Sequence, residues 1–136
     1  MTSWLLPTLL YVVLLGALGV TGKLALRNLV WQELLLWTAL AYTICAVAFL
    51  VLGNGVKLEL DTWWAVASAA IVPAALVVLY VALGNGEASK IIPISAAYPA
   101  VTLLLAALFL DEAVTALKLA GLALVLVGVV LLTVAE

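Results

Sequence analysis

The sequence predicts an all-α integral membrane protein of five transmembrane helices. Three observations carry that reading: 69% of the 136 residues are hydrophobic, only 9% are charged, and the mean hydropathy is +1.42. Soluble domains run to about half apolar and about a quarter charged. A water-soluble fold of this size leaves too much of its area exposed to hide such a surface. The solvent must be a bilayer.

The apolar segments fall at residues 4–20, 30–52, 62–83, 91–110 and 114–134, within a single domain over residues 1–136. Each is close to the ~20 residues that a helix needs to cross a hydrocarbon core of about 30 Å. The ten-residue apolar–polar alternation of a membrane strand is absent. The start, Met-Thr-Ser-Trp, lacks the cationic n-region of a signal peptide and no small-residue cleavage site ends the first apolar run, so helix one is expected to remain in the mature chain. A short turn carrying Lys23, Arg27 and Asn28 leads to helix two. Helix two stops at Gly53-Asn54-Gly55, helix three at Gly84-Asn85-Gly86, both with residues that tolerate left-handed backbone. Lys57, Glu59 and Asp61 follow the first stop; Glu87 and Lys90 follow the second. Asp111-Glu112 closes helix four. Trp4, Trp31, Trp63 and Trp64 stand at segment starts, where an indole straddles the headgroup region. No connection is long enough for a soluble domain.

Composition excludes other classes. There is no His and one Cys, Cys45, so disulfide frameworks and Cys/His metal sites are out and no cofactor is expected. A net charge of −2 provides no basic patch for nucleic acid. An intramembrane enzyme would want His, Gly-x-Ser-x-Gly or paired acids within a span, and a channel would want rings of charge or a carbonyl filter. Neither pattern is visible.

Polar residues inside spans are costly in lipid and face the protein interior. Thr8, Tyr11, Gly19 and Gly22 follow helical spacing along one face of helix one. Thr38, Tyr42 and Cys45 do so in helix two, Pro73 and Tyr80 in helix three, and Ser95, Tyr98 and Thr102 in helix four beside Pro93 and Pro99. One reading makes Tyr11, Thr38, Tyr42, Ser95, Tyr98 and Thr102 the lining of a moderately polar solute cavity. The other makes them packing hydroxyls and interfacial tyrosines; Tyr80, near its helix end, is assigned to that interfacial belt. Cys45 reads as a small core residue. Pro73 and Pro99 are expected to bend their helices. In helix five, Gly121 and Gly128 allow close helix approach, either within the chain or in a dimer.

The order of features from Tyr80-Val81-Ala82-Leu83-Gly84-Asn85-Gly86-Glu87-Ala88-Ser89 through Ile92-Pro93, Tyr98-Pro99 and Leu110-Asp111-Glu112 to Gly121 and Gly128 resembles the carboxyl half of an EamA repeat. Gly16-Ala-Leu-Gly-Val-Thr-Gly-Lys23 resembles the end of that repeat's first helix. The family belongs to the drug/metabolite transporter superfamily, whose members mostly carry two five-helix repeats in inverted orientation and move metabolites across membranes. The resemblance implies half of a ten-helix inverted-repeat fold in a prokaryotic cell (inner) membrane, moving a small-molecule solute. Asp111 stands where a Gly commonly precedes the turn Glu. Glu112 matches that Glu and reads as a cap on the last helix. The related small multidrug resistance proteins carry an essential carboxylate in helix one; helix one here has no acid, and Glu33 is the nearest.

Five spans place the termini on opposite sides. Lys57 and Lys118 then fall on one side and Lys23, Arg27 and Lys90 on the other, a weak bias under the positive-inside rule. Such a chain could insert both ways and form an antiparallel homodimer, like the inverted repeats of larger transporters, or hold one orientation. The functional expectation is a half-size transporter working by alternating access. The alternative is an accessory or assembly subunit of another membrane complex.

Overall fold

The computed structural model describes residues 5–53 and 63–134. Trp4, Asn54, Gly55, Lys57, Glu59 and Asp61, named from the sequence, lie outside the described residues. The described chain is helical: α1 Leu5–Ala25, α2 Trp31–Leu52, α3 Trp63–Asn85, α4 Ala88–Ser95, α5 Tyr98–Phe109 and α6 Ala116–Val134. By length and composition five helical spans can cross a membrane, α4 and α5 together making the fourth.

The chain divides into two compact units, one running to Asn85 and one from Gly86. In the first, α3 packs on both α1 and α2. The last turn of α1 meets the last turn of α3, because Lys23 Nζ donates to the Leu83 carbonyl at 2.7 Å. The early part of α2 meets the late part of α3 through Thr38 and Tyr80. Hence α1 and α3 run parallel and α2 antiparallel to them. Gly19 and Gly22 are buried. A Cβ on Gly22 would stand 3.5 Å from Leu83 Cδ1, an ordinary contact, so α1 and α3 pack here with space for a methyl group.

The helix ends in this unit are satisfied locally. The Glu33 carboxylate accepts from the Val30 amide at 3.1 Å, fixing the start of α2. Glu33 is therefore an exposed cap in the first turn of its helix. At the end of α3 the Leu83 carbonyl, one of the helix's orphan acceptors, takes Lys23, and the Asn85 side-chain amide donates to the Val81 carbonyl at 2.8 Å. A cation at a helix C-terminus also meets the negative end of the helix dipole.

In the second unit α4 packs on α6. The fourth span is two helices rather than one bent helix. Proline at 99 has no amide hydrogen for the Ser95 carbonyl, and its ring collides with that carbonyl in a continuous helix. The first helix accordingly ends at Ser95, Ala96 and Ala97 form the turn, and Pro99 sits in the first turn of α5. Pro93 lies inside α4. By contrast, α3 runs unbroken through Pro73.

After α5, Asp111 takes φ 51°, in the left-handed region that favours glycine. Asp is among the few other residues that tolerate it. The cap on α6 differs from expectation. Thr115 Oγ1 accepts the Lys118 amide at 3.3 Å, the bond of an N-cap residue to the third helical amide. Glu112 instead lies 3.8 Å from Lys118 Nζ, and that ammonium also donates to the Ala113 carbonyl.

Candidate functional site: a groove between α2 and α3

Between them, α2 and α3 leave an open groove of about 380 Å³, lined by Leu35, Thr38, Ala39, Tyr42, Ala69, Val72, Pro73 and Leu76. Its position follows from the chain. Ala39 and Ala69 are small, and Pro73 carries no amide hydrogen. The Ala69 carbonyl, four residues earlier, therefore lacks its usual helical donor and is a spare acceptor on a lining residue.

Chemically the groove is almost wholly apolar. No lining residue is charged. The Thr38 hydroxyl is already committed, donating to the Leu34 carbonyl at 2.9 Å. Since that uses its single proton, the Tyr80 hydroxyl donates to Thr38 Oγ1 across 2.9 Å. Tyr42 is 59% exposed and its hydroxyl has no hydrogen-bond partner among the described residues. The side-chain polar capacity of the groove is thus small, and the Tyr42 phenol is its free hydroxyl among the described residues.

Of the six lining residues expected from sequence, the groove brings together Thr38 and Tyr42, with Pro73. Tyr11 is an exposed side chain of α1 outside this lining. The other three belong to the second unit. Ser95 ends α4 and its hydroxyl donates to the Ile92 carbonyl at 2.7 Å. Thr102 donates to the Tyr98 carbonyl at 3.3 Å, while Tyr98 itself is exposed at the start of α5. Both hydroxyl protons are spent on their own helix backbone. Cys45 is exposed on α2, not in a core. A Cβ added at Gly121 or Gly128 would meet nothing within 4 Å, so neither is a close approach within the described residues.

Sequence reasoning misplaced Tyr80. It is 2% exposed and is not an interfacial belt residue. It lies at the boundary between the groove and a second recess of about 360 Å³, lined by Leu26, Leu29, Val30, Trp31, Gln32, Tyr80, Val81, Gly84 and Asn85. The available signal was its spacing of three from Leu83, which places both on one face of α3. Lys23 was also missed; a cation in the last turn of an apolar helix is the natural partner for a neighbouring helix end.

The EamA-like transporter family matches residues 2–134. An uncharacterised protein of Methanocaldococcus jannaschii is 38% identical over 73 residues, which is 54% of this chain and 53% of that protein. The match thus spans about half the length of that relative. No solved structure matches the chain. A family match over nearly every residue, joined to five apolar spans and no strand among the described residues, makes this a multi-pass membrane protein that belongs to the EamA-like transporter family.

Proposed function

We propose that the protein is a half-size transporter that moves a small, uncharged solute by alternating access, as an antiparallel homodimer. The observation that carries the reading is the α2–α3 groove. At about 380 Å³ it falls within the usual range of small-molecule sites, which are mostly apolar with a few placed polar groups. Tyr42 and the Ala69 carbonyl would supply those groups, and the ring of Tyr42 a flat contact surface. A charged solute would meet no counter-charge on the lining residues, so the reading favours neutral metabolites or drug-like compounds. Tyr98, with Ser95 and Thr102, enters the proposal as a separate solute-facing surface on the second unit. The dimer is supported by the weak charge bias and by the open surroundings of Gly121 and Gly128.

The test is transport by the purified chain alone in liposomes, over a panel of neutral aromatic solutes. Uptake of at least one is expected, and Tyr42→Phe should weaken its apparent affinity by roughly two- to tenfold, the value of one neutral hydrogen bond. If no solute moves without another protein present, the accessory-subunit reading replaces this one.

A further inference from the structure

We propose that Tyr80 is the gate that closes the groove at the Lys23 end, so that in this state solute in the groove has no passage to that end. The proposal rests on the reading of the groove as a solute path. Along α3 the lining residues are Ala69, Val72, Pro73 and Leu76. Tyr80 comes one turn later, about 6 Å farther along the axis. It lines the end recess but not the groove, whereas Thr38 lines the groove but not the recess. The hydrogen bond between them is therefore the partition between the two spaces.

That partition is held from several directions. The Tyr80 hydroxyl is fixed on Thr38, and Thr38 is fixed on the backbone of its own helix. One turn beyond, Leu83 is fully buried against Gly22, and Lys23 holds the Leu83 carbonyl. All the buried residues described in this unit (Gly19, Gly22, Tyr80 and Leu83) lie toward the same end. None lies in the first half of α1, anywhere along α2, or in the first half of α3. The unit is closed at one end and loose at the other. Opening the closed end requires the Tyr80 ring to leave its seat and release one hydrogen bond. A tyrosine does this more readily than a charged pair.

Doubly marked chains test the gate whichever way each chain is inserted. In a Cys45→Ala background, cysteines are placed at Asn28 in the α1–α2 turn and at Ala39 in the groove. The full-length protein is reconstituted into liposomes in both orientations and treated from outside with a membrane-impermeant, charged thiol reagent. Intact-mass spectrometry then counts labels on each chain. With the gate closed, a chain presents either position 28 or position 39 to the outside, so single labels dominate. Tyr80→Ala should convert many chains to two labels. Tyr80→Phe keeps the ring and should raise the doubly labelled fraction about threefold, as expected for one lost neutral hydrogen bond between membrane helices. Thr38→Val should match it, and the double variant should add nothing, because both remove the same bond; general loosening of the fold would add. The gate is overturned if the parent is doubly labelled as often as Tyr80→Ala, or if Tyr80→Ala retains single labels. If position 39 stays unlabelled in every variant while position 28 reacts, the groove is not an aqueous path, and the transport reading falls together with the gate.

Discussion

Tyr80 and Thr38 show how much can rest on one neutral bond between helices. Such bonds average roughly 0.6 kcal/mol in membrane proteins, because the unfolded chain in lipid also finds partners. Tyr80→Phe and Thr38→Val should each cost about that much, and a double-mutant cycle by detergent-induced unfolding should return a coupling near the same value. Tyr80→Ala removes a buried ring as well and should cost several-fold more, in line with the ~3–5 kcal/mol of large aromatic-to-alanine changes in cores. Asp111 makes a different point. Its φ of 51° costs roughly 1–2 kcal/mol for a residue with an ordinary Cβ. Asp111→Gly should therefore stabilise the protein, and Asp111→Val should destabilise it by up to that amount, both read from unfolding midpoints. The family resemblance implies Gly at this position, and the backbone angle is one that Gly adopts without strain.

Helix ends and helix contacts decide how the first unit holds together. The α1–α3 contact leaves room for a methyl group at Gly22, where an added Cβ would stand 3.5 Å from Leu83 Cδ1, an ordinary contact. Gly22→Ala is expected to be nearly neutral. Gly22→Leu would have to displace α3 and should cost about 1–3 kcal/mol, while also freeing the Leu83 carbonyl from Lys23. Unfolding of both variants, with proteolysis of the α1–α2 turn as a second readout, distinguishes these outcomes. The span boundaries were legible because apolar length is a local property. Gly19 and Gly22 were legible as one face because 3.6 residues per turn place them there. The division of the fourth span was only half legible. Pro99 announced a disturbance, but a bend and a break both follow from a missing donor. The break falls where Pro99 denies the Ser95 carbonyl its donor and the proline ring crowds that carbonyl.

For the protein as a whole, most large apolar side chains among the described residues are exposed. In water such a surface would drive aggregation; in a bilayer it faces lipid or another copy. The antiparallel homodimer predicts that a single cysteine at Asn28, in a Cys45→Ala background, is labelled by an impermeant reagent from either side of intact membranes, each time on a fraction of chains. Labelling from one side alone would remove the antiparallel arrangement. If α6 forms the contact, Gly121→Leu with Gly128→Leu should lower crosslinked dimer yield at least several-fold while leaving the monomer folded, since no described group within the chain lies near either position.

The amino-acid sequence by itself determined the solvent, the number of spans, the absence of charge within the groove-forming stretches and the family resemblance. All of these depend on composition and on spacing along one helix. Only the tertiary structure decided that Thr38 meets Tyr80, that Lys23 closes the end of α3, and that Thr115 rather than Glu112 caps α6. The first two join residues 42 and 60 positions apart. Such pairings depend on how far each helix is rotated and slid against its neighbour, which spacing along one helix does not encode. The third turned on a choice between two nearby side chains, settled by which oxygen the turn at Asp111 delivers to the first free amides.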